Sequence, residues 1–240
     1  AQKAADWISY LEDCKKCRFV EPTGDPARVG PTIKTGVEVR PPDINLSDAD
    51  FAVVFAKDEA QAARNGHVRF GLKAIKGIGE KAIEKIIAER AGDGTKQSKG
   101  AGSPFSSLFD FCERVPQGTI TKAAIESLIK CGAFDSVHGR DGRAAMVATI
   151  EQAITAGQKI AADRAAGQGA LFGFGSEPPA ATGTPTTASI TLARADKWTE
   201  GETLRFEKDI LGFFVSSHPM DSWKRWSGVF TTSTVAGVKA

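Results

Sequence analysis

Apolar residues recur at helical spacing in three stretches of the chain, which predicts three helical regions. These are residues 6–17, about residues 72–166, and residues 195–211. Residues 37–55 follow a different pattern, because Pro41 and Pro42 exclude a helix interior and residues 51–55 form a short apolar run typical of a strand. The predicted fold is therefore mainly α with small β segments.

Three connections rich in Pro, Gly or Ser separate these stretches. They cover residues 21–36, residues 91–103 and residues 173–189. Such a composition is typical of loops and linkers. The connection at 91–103 interrupts the long helical region, and Gly212 is the expected end of the last helix.

The most informative motif is a pair of glycines between two helical segments. Residues 72–76 account for about one helical turn, Gly77, Ile78 and Gly79 follow, and the apolar spacing predicts an amphipathic helix over residues 79–90. Glycine permits a tight turn and lets backbone N–H groups approach a ligand, and Ile78 is expected to fill the gap between the helices. Because the N–H groups that start a helix favour an anion, the motif predicts a phosphate site.

Basic residues concentrate around this motif. The whole chain of 240 residues has 31 Lys and Arg against 29 Asp and Glu, a net charge of +2, which excludes a strongly cationic protein of the histone type. Residues 65–100, however, contain eight basic and four acidic residues, so this stretch alone carries +4. We expect a helix-hairpin-helix that holds the nucleic-acid backbone without reading bases, with salt-sensitive binding. The expected DNA-binding residues are Lys73, Lys76, Gly77, Ile78, Gly79, Lys81 and Lys85.

Two alternatives for the glycine motif stay open at the level of sequence. The run from Gly77 to Ala82 also matches the G-x-G-x-x-A dinucleotide fingerprint, although no second strand and no suitably placed acidic residue follow it. The second alternative is a purely structural hairpin with a solvated basic face.

A weaker copy of the motif follows downstream. The apolar spacing predicts two helices, over residues 120–131 and 140–158, with a glycine between them. This arrangement is either a second, degenerate hairpin or ordinary helix packing, which explains the apolar positions equally well. It would supply Lys122, Lys130, Arg140 or Arg143 to the same duplex.

A short peptide beside the last connection has a different character. Leu171 and Phe172 are adjacent large apolar residues with little around them to pack against, and Gln168 lies three residues before Leu171. Q-x-x-L-F is the pattern of peptides that dock on the bacterial sliding clamp, with the Leu–Phe pair in a pocket and the Gln at its rim. We therefore expect a clamp-binding peptide, the alternative being a helix end that packs back on the chain.

The cysteine pattern and the lack of long apolar runs predict a reduced, cytoplasmic protein without membrane contact. Cys14 and Cys17 form a CxxC, but no second CxxC and no nearby His completes a zinc set. Cys112 and Cys131 lie beside apolar helical positions and are predicted to be small buried residues. No uncharged apolar run reaches about 18 residues, and the N-terminal residues lack a signal-peptide pattern.

The sequence predicts no catalytic and no metal-binding residue. Asp48 and Asp50 form a D-x-D, which is explained more simply as a turn before the following strand. His67, His138 and His218 are far apart in sequence, so no catalytic set is proposed from them, and each is expected to be a surface or capping residue.

Six sequence blocks occur in the order found in a known family. They are PPDINLS (41–47), RFGLKAIKGIGEKAIEKI (69–86), FSSLFDFCERV (105–115), KAAIESLIKCGAFD (122–135), GQGALFG (167–173) and EKDILGFFVSSHPMD (207–221). On these blocks the chain resembles the alpha subunits of the bacterial replicative DNA polymerase III over nearly its whole length. Two departures are a 21–36 loop that is longer and richer in Pro than expected, and Gly169 in place of a larger residue, which is expected to weaken clamp affinity.

The resemblance implies an internal segment of a DNA-directed DNA polymerase, a nucleotidyltransferase of chromosomal replication. Its parts would be the end of the fingers domain (1–64), a tandem helix-hairpin-helix domain (65–166), the clamp-binding peptide and linker (167–195), a helix–strand connector (196–226) and the start of an OB domain (227–240). By resemblance, residues 76–81 bind duplex DNA, and Gln168, Leu171 and Phe172 bind the sliding clamp, the beta subunit.

The resemblance also implies other replicase subunits as partners. The parent polymerase would use Mg²⁺ and dNTPs at a catalytic palm upstream of residue 1. Rival interpretations are a DNA-repair module that carries a hairpin and a clamp peptide, an error-prone paralogue of the same polymerase, and a dinucleotide-binding enzyme.

Overall fold

The computed structural model describes residues 18–21, 32–35, 37–55, 66–92, 102–115, 118–165 and 191–223. Strands β1 (Arg18–Glu21) and β2 (Thr32–Thr35) form an antiparallel pair in which Arg18 is opposite Thr35 and Glu21 opposite Thr32. The prediction of a loop over residues 21–36 is therefore wrong at both ends of this range, where the backbone forms paired strands. The helix predicted for residues 6–17 lies outside the described residues.

A second, three-stranded sheet precedes the helices. It consists of β3 (Val39–Arg40), β4 (Ala52–Val54) and β5 (His67–Arg69) in the order β3-β5-β4. The central β5 pairs in parallel with β3 and antiparallel with β4. The extended character expected of residues 37–55 is thus confirmed. The domain boundary expected at residue 64 falls between β4 and β5, and the division into domains stays a prediction.

Six α-helices contain far more of the described residues than the strands do, which confirms the mainly α fold. They are α1 (Glu80–Ala91), α2 (Leu108–Arg114), α3 (Lys122–Lys130), α4 (Asp135–His138), α5 (Arg143–Ala165) and α6 (Glu200–Leu211). Short 3-10 turns occupy Leu72–Ala74, Arg140–Gly142 and Asp221–Trp223. None of the helices in the described ranges is long and apolar enough to cross a membrane.

Helix α6 begins at Glu200 and not at residue 195 as the apolar spacing predicted. The reason is a capping box: Glu202 N donates to Thr199 Oγ1 at 3.3 Å, and Thr199 N donates to Glu202 Oε2 at 2.9 Å. These two bonds satisfy backbone donors that a helix start leaves without partners. The predicted end at Gly212 is confirmed, since this residue closes the helix in the left-handed conformation with φ +89°.

One hydrophobic core joins the loop before β4 to the helices. Helix α5 packs against α2 and α3, and α3 also contacts α6. The rings of Phe105, Phe111 and Phe134 follow one another edge to face, with centroids 5.1 and 5.2 Å apart. Such a geometry is favourable for buried aromatic side chains. Ile44 is fully buried in this core, and its backbone N–H donates to Ala133 O at 2.8 Å.

A tight loop at residues 43–47 places Ile44 in the core. Asp43 Oδ1 accepts from the backbone N–H groups of Asn45 and Leu46 at 2.8 and 3.0 Å. The Asn45 side chain then pairs with the backbone of Phe105, accepting from Phe105 N at 2.7 Å and donating to Phe105 O at 3.0 Å. The loop is therefore fixed to the residues that lead into α2.

Cys112 and Cys131 are buried, as the sequence predicted. Burial raises the pKa of both thiols to about 12, because the charged thiolate is poorly solvated there. Cys14 and Cys17 lie outside the described residues.

Candidate nucleic-acid interface

The glycine pair forms a tight turn between the 3-10 turn and α1. Gly77 has φ +85°, a conformation that favours glycine, and Gly79 is the N-cap residue of α1 with φ −79°. A Cβ added to Gly79 would meet no atom within 4 Å, so the space in front of this residue is open. Ile78 is half-buried and packs against the core, as expected of the residue between the glycines.

The first backbone N–H groups of α1 are available to a ligand. Ala82 N and Ile83 N both donate to the carbonyl oxygen of Gly79, at 3.0 and 3.2 Å. The N–H groups of Gly79, Glu80 and Lys81 have no acceptor among the described residues, and no side chain caps this helix start. These donors lie at the positive end of the helix dipole. The turn can therefore accept an anion such as a phosphate.

The lysines around the turn differ in how far they are already engaged. Lys81 is exposed, and none of the described carboxylates lies within 4.0 Å of its Nζ. Lys73 lies 3.2 Å from Glu80 Oε1 and 3.7 Å from Asp50 Oδ2, and the hydrogen bond to Glu80 raises its pKa. Lys81 is thus the better placed of the two to contact a phosphate directly.

Two further lysines of the predicted site also have partners within the chain. Lys76 Nζ donates to the carbonyl oxygen of Asp209 at 3.0 Å, and Lys76 N donates to Ile210 O at 3.4 Å. Lys85 Nζ lies 2.7 Å from Glu89 Oε1, one turn further along α1. The predicted residues therefore lie on the two segments joined by this turn. The side chains of Lys73, Lys76 and Lys85, however, already contact carboxylate or carbonyl oxygens of the chain.

The charge count of +4 for residues 65–100 overstates the free positive charge of this surface. Asp48 and Asp50, outside that stretch, lie 3.2 Å from Arg90 Nη2 and 3.7 Å from Lys73 Nζ. Arg69 is buried, and its Nη1 donates to Pro41 O at 3.3 Å. The positive charge still available beside the turn is therefore chiefly that of the exposed Lys81.

The second glycine turn, at Gly132, does not present Arg143 to solvent, so the expectation of a phosphate contact by Arg143 is wrong. Arg143 is 1% exposed, donates to both oxygens of Asp135 at 2.8 and 2.5 Å, and donates to Glu207 Oε1 at 2.9 Å. Burial opposes the charged form, but the hydrogen bonds to the two carboxylates outweigh it and raise the pKa of Arg143. Gly132, with φ +87°, leaves room for this guanidinium, because an added Cβ would collide with it.

The remaining basic residues of the second turn vary in their surroundings. Lys122 lies 2.5 Å from Glu151 Oε1 and Lys130 lies 2.6 Å from Glu126 Oε1. Arg140 is exposed at the start of the 3-10 turn that follows α4. A contribution of these residues to DNA binding stays a prediction.

The described residues do not bring together a metal-binding cluster. Within the described ranges, no group of three or more His, Cys, Asp or Glu side chains could hold an ion. Asp48 and Asp50 pair with different basic residues, and the backbone carbonyl of Asp48 accepts from Leu72 N at 2.9 Å. His138 caps α2, accepting from Leu108 N at 3.0 Å, and burial lowers its pKa. The expectation of a capping role for His138 is confirmed.

The sequence did not indicate two neighbours of the hairpin. A Cβ on Gly77 would lie 3.4 Å from Ser127 Oγ of α3, and Asp209 of α6 accepts from Lys76. Both neighbours are more than 40 residues away along the chain, so no local spacing could have revealed them. The predicted clamp-binding residues Gln168, Leu171 and Phe172 lie outside the described residues.

Comparison with known protein families supports the assignment of a helix-hairpin-helix. Residues 36–145 match the family described as helix-hairpin-helix motif. This match disfavours a dinucleotide-binding fold. Such a fold requires a strand after the helix that follows the glycines, whereas the next described element after α1 is the helix α2.

Relatives come from several bacteria. The DNA polymerase III subunit alpha of Caulobacter vibrioides is 37% identical over 186 residues, which are 78% of this chain and 14% of that protein. The corresponding subunit of Thermus aquaticus is 34% identical over 185 residues, 77% of this chain and 12% of that protein. That of Haemophilus influenzae is 32% identical over 201 residues, 84% of this chain and 15% of that protein. The chain therefore spans only a small part of the length of these relatives.

Proposed function

Since the chain is related to one segment of the bacterial DNA polymerase III alpha subunits, we propose that it holds duplex DNA by the phosphate backbone within a replicative polymerase. The observation that carries this proposal is the start of α1. Three backbone N–H groups without an acceptor in the described chain lie there beside the exposed Lys81, and Gly79 leaves the approach to them open. These groups recognise phosphate and not bases, so binding is independent of sequence.

Lys73, Lys76 and Lys85 have a supporting role in this proposal. Each already contacts a carboxylate or a carbonyl oxygen, which uses part of the hydrogen-bonding capacity of its ammonium group, so we expect a weaker contact with phosphate than that of Lys81. Their charges still raise the electrostatic potential near the turn, which attracts the duplex and favours salt-dependent binding.

Nucleotidyl transfer belongs, in this proposal, to the whole polymerase. Polymerases carry out this reaction with two metal ions held by clustered carboxylates. The described residues do not fit such a site, because Asp48 and Asp50 pair separately with Arg90 and Lys73. In this proposal the catalytic palm of the parent polymerase binds Mg²⁺ and dNTPs, and the polymerase acts on the chromosome in the cytoplasm with other replicase subunits.

We also propose that Gln168, Leu171 and Phe172 tether the polymerase to the sliding clamp. The support is the Q-x-x-L-F sequence within a Gly-rich stretch. A tether makes repeated encounters with DNA intramolecular, which raises the effective concentration without new DNA contacts. Immobilised clamp should capture the chain, and Leu171→Ala with Phe172→Ala should abolish capture while DNA binding is unchanged. Undiminished capture of the double variant would refute the peptide assignment.

A primer-extension assay separates the proposed polymerase segment from a self-sufficient enzyme. We expect residues 1–240 alone to bind primed duplex and to incorporate no nucleotide. Incorporation by this chain alone would show that a catalytic centre lies within it. The alternative of a repair module predicts preference for damaged over intact duplex, whereas the polymerase segment predicts equal affinity for both.

A further inference from the structure

A groove lies between α6 and residues 213–223, and its lining includes no residue of the hairpin turn. It has a volume of about 450 Å³. Leu204, Phe214 and Pro219 supply apolar parts of its lining, and Arg205, Lys208 and His218 supply polar parts. This volume lies within the range of ligand-binding clefts and accommodates one or two side chains of a bound peptide.

The apolar surface continues beyond the groove. Pro219 and Ser222 of the lining are followed at once in sequence by Met220 and Trp223, whose exposed fractions are 56% and 60%. Exposed Trp and Met side chains beside a pocket are typical of protein–protein interfaces. The feature is therefore a surface for a macromolecular partner and not an isolated cavity.

The charges of the lining favour an acidic partner. Arg205 has only a long contact, 3.9 Å, to Asp209 Oδ2, and Lys208 lies over the ring of Phe214 at 5.2 Å without a carboxylate partner among the described residues. The lining carboxylate of Glu200 already accepts a hydrogen bond from Ser217 Oγ at 2.9 Å. The lining therefore contains two cations against one carboxylate, which favours a negatively charged partner.

The contacts of the Phe214 ring disfavour base stacking of single-stranded nucleic acid within the groove. A base would need an open ring face on which to stack. The Phe214 ring is already in contact with Lys208 on its face and with His218 at 5.4 Å in an edge arrangement. The groove offers side-chain volume rather than a stacking platform.

We propose that this groove binds an acidic peptide segment of a partner protein, with one large apolar side chain in the groove and flanking carboxylates on Arg205 and Lys208. The proposal does not depend on the DNA-binding role of the hairpin. Charge pairs at the edge of such an interface steer the partner and select it, while the buried apolar anchor supplies most of the affinity.

Gly201 allows a test that leaves the fold intact. It lines the groove within α6, and an added Cβ would meet no atom within 4 Å. Gly201→Leu should place an isobutyl group in the groove and obstruct it, and since leucine favours a helix more than glycine does, the melting temperature should not fall. Gly201→Ala is the matched control, because a methyl group leaves most of the groove open.

The probes are short synthetic fluorescent peptides with one central Leu or Trp, flanked by Asp, by Ser or by Lys. We expect the intact chain to bind the Asp-flanked peptides at least about tenfold more tightly than the Lys-flanked ones, a difference of the size that rim charges and anchors produce. Gly201→Leu should lose this binding and Gly201→Ala should keep it. Arg205→Glu with Lys208→Glu should reverse the preference between Asp and Lys flanks, whereas Arg140→Glu, an exposed charge outside the groove, should not.

Three outcomes would each overturn the proposal: binding of no peptide, equal binding of all three flanks, or unchanged binding by Gly201→Leu. Displacement of a bound peptide by oligo(dT), with loss of oligo(dT) binding in Gly201→Leu, would overturn it as well and assign the groove to nucleic acid.

Discussion

Lys76 Nζ donates a 3.0 Å hydrogen bond to the carbonyl oxygen of Asp209, a residue 133 positions further along the chain. The backbone N–H of Lys76 also donates to Ile210 O at 3.4 Å. Both acceptors are carbonyl groups in the last turn of α6, where the helix dipole is negative and attracts a cation. The hairpin turn and the end of α6 are therefore held together by the residue that the sequence assigned to DNA.

This contact predicts unequal roles for Lys81 and Lys76. Lys81→Ala should weaken binding to all duplexes by a similar factor and reduce the salt slope by about one counterion, because it removes a phosphate contact. Lys76→Ala should weaken binding less, since its amine already has an acceptor in the chain. Fluorescence anisotropy with two unrelated duplexes at several salt concentrations measures both effects. A loss confined to one duplex sequence would contradict a backbone contact.

The buried pair of Arg143 and Glu207 predicts a large effect on stability. Arg143→Met removes the cation that faces Asp135 and Glu207 and leaves Glu207, which is fully buried, without its charge partner. Breaking such a buried pair costs about 3–5 kcal/mol of unfolding free energy. Urea denaturation should show this loss, and Lys122→Met, which breaks an exposed pair, should change the midpoint little. Equal midpoints for wild type and Arg143→Met would disprove a stabilising role.

The same cluster predicts loss of stability in acid. Burial opposes ionisation of Glu207, but hydrogen bonds from Ser216 and Arg143 outweigh it and hold its pKa below the ordinary value of 4.5. A carboxyl whose folded pKa is depressed stabilises the protein above its unfolded pKa, and this contribution disappears as the pH falls through the folded pKa. The difference in unfolding free energy between wild type and Glu207→Gln should be constant above about pH 5 and should become smaller at lower pH. Urea titrations at each pH measure it, and a gap that stays constant in acid would count against this assignment.

Local signals predicted the elements that depend on neighbouring residues. The apolar spacing located α1, and Gly212 marked the end of α6, because helix faces and C-caps are properties of a few adjacent residues. The T-x-x-E at Thr199–Glu202 was also present in the sequence and identifies the true start of α6, but apolar spacing alone placed it too early. The β1–β2 pair was missed because Pro and Gly in the intervening residues masked two short strands.

Contacts between distant residues could not be predicted in this way. Arg143 lies on a helix whose sequence gives no sign that Asp135 and Glu207 converge on it, so its positive charge looked available for DNA. Likewise, the charge count around the hairpin could not include Asp48 and Asp50, which fold back from the preceding segment. For the candidate site, the sequence predicted the glycine turn correctly and could not predict which lysines have partners.

The most direct test of phosphate binding at the hairpin is the duplex affinity of Gly79→Ala. This residue has φ −79° and open space in front of it, so alanine should fold normally, but its methyl group would stand where a phosphate approaches the N–H groups of α1. Hydrogen bonds to a charged group are worth roughly 1.5–3 kcal/mol, so affinity should fall at least about tenfold for every duplex, with the salt slope unchanged. Gly118→Ala, an exposed glycine with equally open space, should bind like wild type. Wild-type affinity of Gly79→Ala would contradict phosphate binding at this turn.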